Sequence, residues 1–268
     1  MAEKIICVVG PTACGKTKLG VLLAKRYDGE VVSADSMQIY KGMTIGTAAP
    51  TAEEMEGVPH HMIAVADPAE QWSAARYARA AVPIVDDILR RGKRPILVGG
   101  TGLWLDAVVQ GRTFAGGHAG GAVRRELQAQ LAREGIGPLL EELRQVDPEA
   151  AERLHPADEK RILRALEVYR ETGKTISAHN AETRDLPPRY DAVWIGLQFR
   201  DRADMKTLID RRVDAVAEVK RRSRQYAKRQ LTWLRRNPDI HWIWWEKDRD
   251  FARALQVSTE ILAAAGVF

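Results

Sequence analysis

The chain has 268 residues, 45% of them hydrophobic and 29% charged, with a net charge of +5. That length and balance fit a globular protein with one large domain, or a core with a smaller lobe. No apolar run approaches the roughly 20 residues needed to cross a bilayer, and the N-terminus leads straight into a strand pattern without room for a signal peptide, so a cytoplasmic protein with no membrane partner is expected.

Taken in order, Ile5-Ile6-Cys7-Val8-Val9 reads as a buried strand by its length and β-branching, and residues 18–26 carry a helical pattern. Residues 30–35 form a second strand that ends in the carboxylate of Asp35, followed by a loop through Tyr40. The segment around His60 and His61 reads as loop and core. No third ligand stands at metal-binding spacing from the two histidines. Ser73 is placed to cap a helix reaching Arg91, with Ala74, Tyr77, Ala81, Ile84 and Ile88 on one face and a kink or break at Pro83. Residues 94–98 are the next buried strand, running into Gly99-Gly100-Thr101-Gly102, and a helix restarts at Trp104. This strand–helix alternation predicts a parallel α/β sheet with helices on both faces.

The composition changes after Gly111. Residues 114–121 read as a glycine linker, and residues 122–172 as helices broken at Pro138, Pro148 and Pro156. The expected organisation is a core of residues 1–114 and 189–268 with a small helical domain, 115–188, inserted into it. A strand returns at 192–197. Residues 202–219 and 220–236 read as helices, 241–245 as a short late strand in which the tryptophans pack, and 251–265 as a final amphipathic helix. Residues 200–236 hold thirteen Lys/Arg against five Asp/Glu, a local charge of +8. Such a block is either a solvated helix face or a surface for a polyanion.

The chemistry starts at Gly10-Pro11-Thr12-Ala13-Cys14-Gly15-Lys16-Thr17. This is a G-x-x-x-x-G-K-[ST] phosphate loop in the strand–loop–helix context it requires. Backbone N–H groups and the helix dipole would attract an anion, Lys16 would reach a terminal phosphate, and the Thr17 hydroxyl would sit on Mg²⁺. The fold expected is therefore a P-loop NTPase-like α/β sheet with a helical insertion. Asp35 would face the loop's contents from a strand's carboxyl end. It would serve as a base toward a hydroxyl or an amine, or as a cap or metal-shell residue. Thr101 fits a turn, an N-cap or a catalytic role equally. Cys7 and Cys14 lie too close in sequence to bridge without distorting strand and loop, so free thiols are expected.

Beyond this point the blocks of sequence resemble one family. The loop at 10–17 is similar to the start of tRNA dimethylallyltransferases, with Cys14 where serine is more usual. The match continues through Ser33-Ala34-Asp35-Ser36-Met37-Gln38-Ile39-Tyr40, Pro59-His60-His61, Leu97-Val98-Gly99-Gly100-Thr101-Gly102, residues 161–168, Ile209-Asp210-Arg211-Arg212-Val213-Asp214 and Ala227-Lys228-Arg229-Gln230-Leu231-Thr232-Trp233. The resemblance implies transfer of a dimethylallyl group from dimethylallyl diphosphate to the exocyclic amine of the adenosine 3′-adjacent to the anticodon of tRNA. The phosphate loop would then hold the leaving diphosphate, through Gly10, Thr12, Ala13, Cys14, Gly15, Lys16 and Thr17, with Arg202 neutralising charge. Asp35 would accept the amine proton and Thr101 would hydrogen-bond near the reacting centre. Ser36, Met37 and Gln38 would meet the flipped-out adenine. Lys160, Arg161 and Arg164 in the helical domain, and Lys228, Arg229, Gln230, Trp233 and Arg235 in the basic arm, would hold the anticodon stem-loop. The only cofactor implied is Mg²⁺, and a monomer is expected. Adenylate isopentenyltransferases acting on free AMP, ADP or ATP, and small-molecule P-loop kinases, are the alternatives. One departure stands out: family members usually carry a further helical stretch with a Gly-Tyr pair before the Lys228 block, where this chain has only residues 215–227. Either the chain has a deletion or the sequence lacks a segment. A deletion would bear on tRNA affinity rather than on the diphosphate site.

Overall fold

The computed structural model describes residues 3–43, 47–112, 114, 121–184, 186–212 and 217–267. The glycine stretch 115–120 and the junction 213–216 lie outside the described residues. The chain divides into two compact units, Met1–Gly111 with Pro188–Phe268, and Arg112–Pro187.

The first unit is built on a six-stranded sheet. In chain order its elements are β1 (Lys4–Val9), α1 (Lys16–Arg26), β2 (Gly29–Ser33), α2 (Ala52–Met55), β3 (His60–His61), α3 (Ala74–Arg90), β4 (Arg94–Gly99) and α4 (Gly102–Val109). In the second unit come α5 (Ala122–Glu134), α6 (Ile136–Val146), α7 (Pro148–Arg153), α8 (Glu159–Thr172) and α9 (Ile176–Arg184). The chain then returns to the first unit with β5 (Asp191–Phe199), α10 (Arg202–Arg212), α11 (Ala217–Leu234), β6 (Ile240–Trp245) and α12 (Phe251–Ala264).

The sheet order is β3-β2-β4-β1-β5-β6, and every pairing is parallel. β1 sits between β4 and β5, with Val8 opposite Val98 on one side and Ile195 on the other. Ile5 to Val9 are all fully buried. Successive strand side chains point to opposite faces, so both faces of the sheet are covered, as a parallel sheet requires. The chain crosses from β1 to β2 over the place that β4 fills. The loops after β1, β2 and β4 therefore open at one edge, beyond the carboxyl ends of adjacent strands, where ligands of open α/β sheets bind.

Several boundaries differ from the sequence reading. α3 runs without interruption through Pro83. Pro83 is on the exposed face, where water can take the carbonyl that its missing N–H leaves free, so the helix does not break. Its buried stripe uses Val85 in place of Ile84. In the second unit the break falls at Gly135, at φ 73°, and Pro138 lies inside the first turn of α6, where a missing N–H costs nothing. Leu127, Leu139, Leu140, Leu143, Ile162, Leu163 and Leu166 form that unit's own core. His60 and His61 form a two-residue edge strand rather than loop. His61 Nε2 lies 2.8 Å from the Glu30 carboxylate. Burial lowers the His60 pKa, and its Nδ1 is 2.8 Å from the Val58 carbonyl.

Candidate active site

The phosphate loop connects β1 to α1 through backbone that few residues adopt. Gly15, the N-cap of α1, has φ 93°, and Ala13 has φ 65°. Alternation of left- and right-handed residues turns successive N–H groups toward one point. No side chain caps the eleven-residue α1, so its first N–H groups and the positive end of its dipole stay open to an anion. Lys16 Nζ donates to the Pro11 carbonyl at 2.7 Å and lies 3.9 Å from Cys14 Sγ. Cys14 is completely buried, and burial pushes its thiol pKa up. It packs the loop from beneath and is not a reactive thiolate.

Two further loops close around this one. Asp35 follows β2, and one of its carboxylate oxygens accepts from the Met37 N–H at 2.9 Å. The loop after β4 is tied to it: Thr101 N–H donates to the Ala34 carbonyl at 3.2 Å, and Ser36 N–H donates to Thr101 Oγ1 at 3.0 Å. Thr101 Oγ1 also lies 3.3 Å from both Ser36 Oγ and the Tyr226 hydroxyl. Burial, and then the charge of Asp35, push the Tyr226 phenol up. Tyr226 therefore stays a neutral hydroxyl at physiological pH. Helix α11 supplies it, together with Gln230, whose Oε1 accepts from the Thr12 N–H at 2.9 Å, and Trp233, whose indole donates to Asp106 at 3.2 Å.

The result is a cavity of about 470 Å³ in the first unit, lined by Thr12, Ala13, Gly15, Lys16 and Thr17 from the phosphate loop and by Asp35 and Gln38 from the loop after β2. Glu54, Leu208, Arg249 and Phe251 contribute to its wall. A flexible cation, an open helix N-terminus and a carboxylate thus face one space. That combination can hold a phosphorylated substrate and take a proton from a group brought beside it.

The IPP transferase family model matches residues 38–218, well over half of the chain. The tRNA dimethylallyltransferase of Halalkalibacterium halodurans is 39% identical, covering 91% of each chain. The enzyme of that name from Caldanaerobacter subterraneus is 39% identical and covers 98% of each. This chain belongs to the IPP transferase family. The crystal structure of the full-length tRNA isopentenylpyrophosphate transferase from Bacillus halodurans superposes with a TM-score of 0.68 at 36% identity, over 97% of this chain and 96% of that one. A eukaryotic dimethylallyltransferase at 24% identity shares the fold, with a TM-score of 0.80 over 98% of this chain and 80% of that one. The Caldanaerobacter alignment runs over 310 positions against the 268 residues of this chain, so relatives carry more than forty positions that it lacks.

Most family-derived residues fall at or beside the cavity. Thr12, Ala13, Gly15, Lys16, Thr17, Asp35 and Gln38 line it. Gly10, Cys14, Ser36 and Thr101 belong to the loops that shape it. The Gln38 amide is engaged within its own fold, accepting from Ser33 Oγ at 3.1 Å and donating to the Ala48 carbonyl at 3.2 Å. Met37 is exposed beside Asp35. Arg202 opens α10 as an exposed side chain and is not among the residues lining the cavity. On α11, Lys228 and Arg229 are exposed, as is Arg235 in the turn just after it, whereas Gln230 is buried against the phosphate loop and Trp233 packs on α4. In the second unit Lys160 is exposed, Arg161 pairs with Asp158 at 3.0 Å, and Arg164 pairs with buried Glu167 at 2.8 Å.

Sequence reasoning missed Tyr226 and Arg249. Tyr226, Gln230 and Trp233 stand four and three residues apart, so they share one face of α11, and that polar–aromatic stripe inside a basic helix was the available signal. Arg249 sits in an ordinary charged loop and gave none.

Proposed function

We propose that this protein transfers a dimethylallyl group from dimethylallyl diphosphate to the exocyclic amine of the adenosine 3′-adjacent to the anticodon in tRNA, releasing diphosphate. The observation that carries this reading is the placement of Lys16, Thr17 and Asp35 around one cavity. A kinase site would also use the first two. Family membership and the basic face of α11 favour prenyl transfer to a polyanion.

In this reaction the bond between the allylic carbon and the diphosphate oxygen breaks, and a bond from the adenine nitrogen to that carbon forms. Negative charge grows on the departing diphosphate. Lys16 and the N–H groups opening α1 would stabilise that charge more in the transition state than in the substrate, which is what lowers a barrier. Asp35 would accept the proton the amine loses, and the linked hydroxyls of Thr101, Ser36 and Tyr226 would hold the adenine edge beside it. Magnesium typically binds one or two protein oxygens and the substrate's phosphates rather than a full protein cage. The Thr17 hydroxyl on the cavity wall is a donor of that kind. The ion would neutralise diphosphate charge when bound. Arg229 and Lys228 from the exposed face of α11, and Arg235 from the turn after it, would meet tRNA phosphates.

Replacing Asp35 by Ala tests the assignment. Loss of a general base lowers turnover by about 10²–10⁴-fold, and tRNA binding measured by filter retention should stay near that of the parent protein. Equal losses of turnover and binding would make Asp35 a structural residue of its loop.

A further inference from the structure

We propose that Arg249, from the loop between β6 and α12, is a second diphosphate-binding cation of this site. The proposal rests on the reading of the cavity given above and adds a residue that neither the phosphate-loop motif nor the family blocks contain.

Three observations carry it. First, the loop is fastened to the phosphate loop. The Trp245 indole donates to the Cys14 carbonyl at 2.8 Å, and Phe251 packs edge-on against Trp245 with ring centroids 5.4 Å apart. Phe251 also fills the space over Gly15, where an added Cβ would meet its ring at 2.8 Å. Second, Arg249 is held between these contacts and lines the cavity. Its Nη1 lies 3.4 Å from the Ala13 carbonyl, and its guanidinium lies 5.7 Å from the Phe251 ring centroid. Third, Arg249 has no carboxylate within ion-pair distance among the described residues, and neither has Lys16, the other cation at the phosphate loop. Lys18 and Arg200, by contrast, do have such partners: Lys18 pairs with Glu56 at 2.5 Å and Arg200 with Glu246 at 3.0 Å. Two cations resting only on neutral acceptors at the mouth of an open helix N-terminus are arranged for an anion that neither loop supplies.

The guanidinium adds something Lys16 does not. Its planar fork can hold two oxygens of one phosphate, and stacking on Phe251 limits the freedom lost when it does so. Arg202 does not line the cavity, so among the described residues Arg249 is the arginine that the fold brings to it.

The test uses inorganic pyrophosphate with Mg²⁺, titrated calorimetrically into the full chain. Arg249→Ala removes the side chain. Arg249→Gln keeps an N–H donor for Ala13 but removes the charge. Lys247→Ala removes an equal charge from the same loop, outside the cavity. Arg249→Ala and Arg249→Gln are expected to weaken pyrophosphate binding about tenfold or more, with a flatter salt dependence, while Lys247→Ala leaves it unchanged. Arg249→Lys should recover part of the loss. If Arg249→Gln binds pyrophosphate as tightly as the parent, or Lys247→Ala loses as much, Arg249 is not a ligand and the proposal falls. If the parent protein itself fails to bind pyrophosphate, the diphosphate reading of the cavity falls, and Arg249's role with it. That result separates the two.

Discussion

At the scale of single residues, the decisive feature is which charges the fold pairs and which it leaves open. Glu30 is 4% exposed, and its carboxylate takes two hydrogen bonds from Arg91, at 2.5 and 2.9 Å, with His61 at 2.8 Å. The Arg91 hydrogen bonds hold its pKa down at about 2. A carboxyl whose folded pKa is depressed stabilises the fold above its unfolded value and loses that contribution as pH falls toward the folded one. The folded state should therefore lose stability as pH drops from about 5 to about 2, and Glu30→Gln should flatten that part of the profile. Denaturant midpoints of both proteins across the range check it, and parallel profiles would show that Glu30 is not the titrating group. Lys16 and Arg249 are the opposite case, cations with only neutral partners among the described residues. The phosphate loop was legible in sequence because all its chemistry is consecutive. Arg249 was not, because it reaches Ala13 across 236 residues and only the pairing of β5 with β6 brings it there.

At the scale of elements, the buried parallel strands were legible from continuous β-branched runs, and α1, α3 and α12 from their apolar spacing. β3 was not, since two residues carry no periodicity and its place comes from register with Val31 and Val32. Helix α11 shows most plainly how an element does two jobs. One face is basic and exposed. The other inserts Tyr226, Gln230 and Trp233 against the loops after β1 and β4. The insertion works only because the residue opening α4 is glycine: a Cβ on Gly102 would meet the Trp233 ring at 1.8 Å. Gly102→Ala should displace α11 and cost about 1–3 kcal/mol in an overpacked contact. It should also lower turnover, because Tyr226 would leave Thr101. Urea unfolding with a parallel activity assay reads both. Unchanged stability would mean that the indole moves aside without consequence.

At the scale of the whole molecule, a parallel sheet with its phosphate loop at the carboxyl edge provides the anion site, and the order β2-β4-β1 places the loops bearing Asp35 and Thr101 beside it. The order of strands cannot be read from a chain without knowing which neighbours pair, so the sequence pointed to Asp35 facing the loop but not to the Ser36–Thr101–Tyr226 hydroxyls linked beside it. The helical unit, with its separate leucine core, was visible from the change of composition at Gly111 and the returning apolar spacing. The basic block at 200–236 was visible as charge, though not as a helix half committed to the active site. Whether this cavity moves a prenyl group onto tRNA is read from incubation with radiolabelled dimethylallyl diphosphate, Mg²⁺ and unmodified tRNA, with AMP and ATP in parallel tubes. Label is expected in tRNA, on the adenosine beside the anticodon, and none in AMP. Label in AMP alone, or phosphate released from ATP without prenyl transfer, would contradict this expectation.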